Sequence, residues 1–97
     1  MEKTFWVYMM ASGLNGTLYI GVTSDLKKRV WEHRNGVADG FTKKYKVHNL
    51  VWFEQYDGAE QAIRREKQMK EWQREWKIKR ITEMNPDGHD LYDHICQ

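Results

Sequence analysis

The sequence predicts a small α+β sandwich of three strands and three helices, in the order ββαβαα. Two apolar, aromatic runs at residues 5–10 and 17–22 flank Gly13-Leu14-Asn15-Gly16, a stretch rich in turn formers. A third such run, residues 50–56, stands alone between polar segments. Helical periodicity is confined to the segments after residues 25 and 58, so strands and helices segregate rather than alternate along one parallel sheet.

Each element has a local cause. Phe5-Trp6-Val7-Tyr8-Met9-Met10 and Thr17-Leu18-Tyr19-Ile20-Gly21-Val22 carry the aromatic and β-branched residues that suit a pleated surface. The glycines and Asn15 tolerate positive φ, which closes the pair into a hairpin. If residues 13–16 form a four-residue loop, Ser12 faces Thr17, Tyr8 faces Gly21 and Met10 faces Tyr19. Tyr8, Tyr19 and Gly21 then share one face, and Gly21 leaves an open patch beside Tyr8 for a ligand to approach. Thr23-Ser24-Asp25 supplies N-cap candidates for a helix through about residue 34, ended by Asn35-Gly36. A polar loop is expected through residue 48, then the third strand. Asp57-Gly58 opens a second helix over about 59–73, and a third runs to about residue 84 before Asn85-Pro86.

The 97 residues suit one domain, expected over 1–97 with a core at about 4–91 and an acidic tail at 86–97. Hydrophobic residues at 40% and aromatics at 13% are too abundant for a disordered chain. No run approaches the roughly 20 apolar residues of a membrane-spanning helix, and the mean hydropathy is −0.88. The N-terminus lacks the plan of a secretory signal, and Cys96 has no partner for an internal disulfide. A cytoplasmic location is the expectation.

The net charge of +2 conceals an uneven distribution. Residues 26–46 carry seven bases against two acids, and residues 64–80 eight against three, with acidic ground between and after. Basic blocks interleaved with Trp31, Tyr45, Trp72 and Trp76 point to phosphate binding. Lys28, Arg34, Lys43, Lys44, Lys67 and Lys70 are the candidate contacts. The plainer reading is a solvated face with i,i+4 pairs such as Glu66–Lys70.

Polar residues also fall where helical periodicity wants apolar ones. Arg29 and His33 join Leu26 and Val30 on the inward stripe of the first helix. Glu66 falls within the stripe of Ala59, Ala62, Ile63, Met69 and Trp72. An unpaired buried carboxylate is costly, so Glu66 is paired, exposed at a cleft, or bound to a cation. An ion pair with a base such as Arg29 is the structural alternative to a site, and the commoner arrangement.

The series Tyr8, Tyr19, Gly21, Arg29, His33, Glu66 resembles the GIY-YIG nuclease superfamily. Val7-Tyr8-Met9 is similar to a degenerate first triplet and Tyr19-Ile20-Gly21 to an intact second one. The resemblance is closest to the short stand-alone bacterial branch, in residues 21–26, Gly40-Phe41-Thr42-Lys43-Lys44-Tyr45 and Asn85-Pro86. It implies a three-stranded antiparallel sheet flanked by helices, and a metal-dependent endonuclease acting on DNA, with RNA an open alternative. Carried over, Glu66 would bind Mg²⁺ (or Mn²⁺) and Arg29 the scissile phosphate. Tyr8 would assist deprotonation of the attacking water, and Tyr19 and His33 would complete the site. His33 as the base, with Tyr8 orienting the water, is the alternative assignment. Gly21 and Asn85 are expected in structural roles. With 97 residues and no further recognition domain, DNA structure or ends are expected as targets rather than a defined sequence. The competing readings are a nucleic-acid-binding module of the same fold, with lost or partner-dependent catalysis, and a protein-interaction domain. The acidic tail is expected to be solvated.

Overall fold

The computed structural model describes residues 4–13, 16–37 and 40–96, with the backbone alone at residues 41–43. Strands β1 (Phe5–Ala11) and β2 (Leu18–Thr23) form the hairpin, followed by helices α1 (Leu26–Arg34) and α2 (Gly40–Tyr45) and strand β3 (Asn49–Tyr56). Helices α3 (Ala59–Lys70), α4 (Arg74–Met84) and α5 (Tyr92–Ile95) complete the chain. The sheet is antiparallel, in the order β2-β1-β3.

The central place of β1 explains its sequence. A strand flanked on both edges and covered on both faces has no solvent side, so Val7, Tyr8, Met9, Met10 and Ala11 are all buried. Alternation still divides them. Val7, Met9 and Ala11 join Ile20, Ala62 and Met69 on the face covered by α3. Tyr8 and Met10 join Leu26, Val30, Val47 and Leu50 on the face covered by α1. Each Val, Leu, Ile or Met side chain among them contributes about 1.5–3 kcal/mol on full burial.

The hairpin register is the expected one, with Tyr8 opposite Gly21 and Met10 opposite Tyr19. Ser12 closes the loop, its N–H donating to the Thr17 carbonyl at 3.0 Å and its Oγ accepting from the Thr17 N–H at 2.9 Å. A register shift in β3 was not expected: Met9 faces Trp52, but Met10 faces Leu50. The extra residue, Val51, lets Val51 and Trp52 enter the same core in succession.

Helix α1 starts as its caps dictate. The Asp25 carboxylate accepts from the Lys28 N–H at 3.1 Å, and Gly36 takes φ +69° after the C-terminus. Three expectations change. The polar loop contains α2, which ends where Lys46 turns left-handed at φ 54°. The second helix stops at Lys70, three residues early, and Gln73 in extended backbone opens α4.

The third change lies in the tail, which is solvated only in part. Asp87 and His89 are exposed, but Asp90 accepts from the N–H groups of Leu50 and Tyr92, each at 3.1 Å, and pairs with Arg34. The Leu91 N–H donates to the Leu50 carbonyl at 2.7 Å, and Leu91, Tyr92 and Ile95 pack on the α1 face. Asn85 fastens the same corner from within. It is buried, donates to the carbonyls of Val51 (3.3 Å) and His89 (2.7 Å), and accepts from the His89 N–H at 3.2 Å.

Candidate active site

On the α1 face, β1 and β2 present two tyrosines to one helix. The Tyr8 hydroxyl lies 2.8 Å from Nε2 of His33, and both residues are buried, Tyr8 at 1% exposure. The phenol donates when Nε2 carries no proton, and Nε2–H donates in the other tautomer. The Tyr19 ring completes the group, its centroid 5.1 Å from that of His33 and 6.2 Å from that of Tyr8. Four-residue spacing on α1 stacks Arg29 one turn before His33. Burial works against the Arg29 charge, but hydrogen bonding to Tyr8, the field of that phenol, the bond to Glu32 and the field of Tyr19 outweigh it. The guanidinium is therefore held above the ordinary arginine value.

Gly21 is not the open patch expected from the register. A Cβ there would fall 2.5 Å from Tyr8 Oη and 2.6 Å from Cζ, so the Tyr8 ring itself occupies the space. The missing side chain admits Tyr8 rather than a ligand, and in doing so aims the phenol at His33.

Glu66 does have a basic partner, but the base is Lys70 rather than Arg29. Arg29 Nη1 pairs with Glu32 at 3.3 Å, and Glu66 with Lys70 Nζ at 3.1 Å. Alternation accounts for it, since α1 covers one face of the sheet and α3 the other. The two faces meet at the free edge of β2. There Tyr19 and Lys70 line one shallow cleft with Leu18, Ile20 and Lys77. Tyr8, Tyr19, Arg29 and His33 are thus gathered directly, whereas Glu66 approaches the edge through its partner Lys70. The Glu66 side chain is 15% exposed. Among the described residues no three His, Cys, Asp or Glu side chains gather around one point. A partly exposed single carboxylate fits Mg²⁺, which binds through one or two carboxylates and keeps several waters.

The basic candidates divide in the same way. Lys28, Lys44 and Lys67 are exposed, with Lys44 Nζ 5.4 Å from the Tyr45 ring centroid, and the Lys43 side chain lies outside the described residues. Arg34 has structural partners as well. It pairs with Asp90, donates to the His48 carbonyl at 3.3 Å and lies 4.6 Å from the centre of the Tyr92 ring. It is a strut between α1 and the C-terminal segment. Glu32, which steadies Arg29, was not singled out from the sequence, although its i,i+3 spacing from Arg29 is a recognisable signal.

The arrangement joins a cation to two phenols and an imidazole, and Glu66 pairs with a lysine that lines the adjoining cleft. Comparison with known proteins shows the family. The GIY-YIG catalytic domain model matches residues 4–79. A UPF0213 protein of Staphylococcus saprophyticus is 36% identical over 69 residues, covering 71% of this chain and 84% of the relative. A UPF0213 protein of Bacillus pumilus is 29% identical over 94 residues, covering 97% and 96%. The solution NMR structure of a UPF0213 protein from Bacillus halodurans shares the fold at a TM-score of 0.52 and 23% identity, covering 94% of this chain and 93% of its own. With the family model spanning both tyrosine strands, the arginine–histidine helix and the glutamate helix, the chain belongs to the GIY-YIG family of nuclease domains.

Proposed function

We propose that the chain is a metal-dependent endonuclease that hydrolyses phosphodiester bonds in DNA, directed by structure or ends rather than by sequence. The observation that carries this reading is the convergence of Tyr8, Tyr19, Arg29 and His33 beside the β2 edge. Hydrolysis of a phosphodiester builds charge on the non-bridging oxygens, and a planar guanidinium that is always ionised suits it. Arg29, steadied by Glu32 and Tyr8, would hold the scissile phosphate. Tyr19, which lines the cleft, would be the phenol that touches the attacking water. Tyr8, withdrawn from solvent, would act through His33 and Arg29, and a proton passed between phenol and imidazole stays within their 2.8 Å contact. Glu66 is the residue that would hold the cation. When bound, that ion offsets charge on the leaving oxygen and lowers the pKa of its water. Lys28, Lys44, Lys67 and Lys70 would meet the flanking backbone, while Arg34 also braces the C-terminal segment.

Incubation with supercoiled, nicked and branched DNA and Mg²⁺ or Mn²⁺ tests the reading. Products are expected, and Arg29→Ala or Glu66→Ala should abolish them. Equal cutting by Glu66→Ala overturns it. The burial of Tyr8 and His33 favours one second reading, a DNA-binding module whose catalysis is lost or depends on a partner. Salt-sensitive binding without cleavage under every condition would establish it.

A further inference from the structure

Helix α4 carries a second surface outside the tyrosine site. Trp76 is 56% exposed and stands edge-on to Trp72, with ring centroids 6.2 Å apart. The guanidinium carbons of Arg65 and Arg80 lie 5.0 and 5.6 Å from the centroid of the Trp72 ring. These contacts fix Trp72 as the inner wall of a concavity that Trp76, Lys79, Arg80 and Glu83 complete. A tryptophan more than half in water, backed by a second ring, presents a flat apolar face at a known position. Around it lies one of the two basic stretches of the chain, residues 64–80, with eight bases against three acids. An aromatic face flanked by cations complements one ligand chemistry: a nucleobase whose π-face is accessible, attached to a charged backbone. Duplex DNA does not meet that need, because its bases are stacked on one another.

We propose that Trp76, supported by Trp72 and flanked by Lys79 and Arg80, is a stacking platform for an unpaired segment of DNA. The proposal rests on the nuclease reading and specifies its substrate as DNA containing single-stranded character, such as a flap, a fork or a frayed end. Position supports it. Lys77, next to Trp76 on α4, lines the β2-edge cleft with Tyr19 and Lys70, and its Nζ donates to the Lys70 carbonyl at 3.4 Å. One helix therefore borders both the platform and the candidate site, so a strand seated on Trp76 has a short path to the cleft. The arginines on Trp72 hold the inner ring in place, which leaves Trp76 as the base-receiving face.

Binding of a fluorescent single-stranded oligonucleotide and of a blunt duplex, measured by anisotropy in EDTA, tests the platform without cleavage. Trp76→Ala is expected to weaken single-strand binding about tenfold or more, within the range for loss of one stacked base, and to leave duplex binding within about twofold. Trp76→Phe, which keeps a ring, should restore most of the loss. Lys79→Ala should weaken both ligands, since it removes charge alone. Single-strand binding by Trp76→Ala equal to that of the wild type overturns the proposal, as does an equal loss for both ligands. If Trp76→Ala instead loses a dimer by light scattering while binding DNA normally, the patch is a self-interface and the proposal fails. A wild-type protein that binds single strands but never cuts would sink the nuclease reading and leave the platform standing. One that cuts while Trp76→Ala binds normally would do the reverse.

Discussion

The Tyr8 hydroxyl and Nε2 of His33 meet at 2.8 Å between the central strand and the first helix, both closed off from solvent. A polar pair at this depth is a structural element whatever its part in chemistry, because a buried polar group without a partner costs about 1–3 kcal/mol. Tyr8→Phe keeps the ring and removes only the hydroxyl, leaving Nε2 without its phenol. It should lose about 1–3 kcal/mol in urea denaturation with an unchanged m-value. No change in midpoint would show that the phenol contributes nothing to the fold.

Gly21→Ala probes the same contact from the opposite strand. The new methyl would sit 2.5 Å from Tyr8 Oη and 2.9 Å from Cε1, and the ring it meets is walled in by α1. Tyr8 must shift, stretching its bond to His33. Overpacking of this kind costs about 1–3 kcal/mol. Denaturation should report that loss, and the His33 ring resonances should move in NMR spectra. Wild-type stability with unmoved resonances would mean that the ring has room to spare.

How far the sequence foretold this contact depends on the distance involved. Turn residues and alternation set the hairpin register, and four-residue spacing put Arg29 and His33 on one helix face, so three strands and the tyrosine group were legible. What crosses the sheet was not. Periodicity says that Arg29 and Glu66 each point inward, but not that their helices cover opposite faces, which is why each takes a near neighbour, Glu32 and Lys70, instead of the other. The Val51 bulge hid for a similar reason, since Leu50-Val51-Trp52 reads equally well in either register. The strap over residues 90–95 was obscured by composition, because Asp90 looks like a solvent residue until the Leu50 N–H and Arg34 are brought to it.

That strap makes its own prediction. Asp90→Ala removes the acceptor for two backbone N–H groups and the partner of Arg34. The ion pair is about one-third exposed and adds little alone, but the part-buried Leu50 N–H loses its bond. A loss of about 1–2 kcal/mol is expected, with faster amide exchange at Leu91 and Ile95 than at β1. Equal protection in variant and wild type would show that apolar packing alone holds the strap.

Tyr56 gives the fold a dependence on alkaline pH. Burial raises the phenol first and its hydrogen bond to Glu54 adds to it, against the pull of Arg65, so the group is pushed up to about 12. A raised pKa means that the folded chain keeps a proton which the unfolded chain releases near pH 10. The contribution is complete below pH 10 and is lost as pH climbs through the folded value. Stability should therefore fall between about pH 10 and 12, and Tyr56→Phe should flatten this limb. Ultraviolet titration of the wild type should show a phenolate appearing well above pH 10, and its persistence in Tyr56→Phe would assign the step elsewhere.

Glu66 separates the candidate chemistry from the architecture. Its partner Lys70 is half-exposed, and such a pair contributes at most about 1 kcal/mol. Glu66→Ala should consequently melt within a few degrees of the wild type, while DNA cleavage falls at least about a hundredfold if this carboxylate holds the cation. Lys70→Met sharpens the point, since the ammonium and a cation compete for one carboxylate. Removing the ammonium should lower the Mg²⁺ concentration for half-maximal cutting, even as weaker phosphate attraction raises the DNA concentration required. A shift of the Mg²⁺ midpoint in the other direction would mean that Lys70 assists the site rather than guarding it.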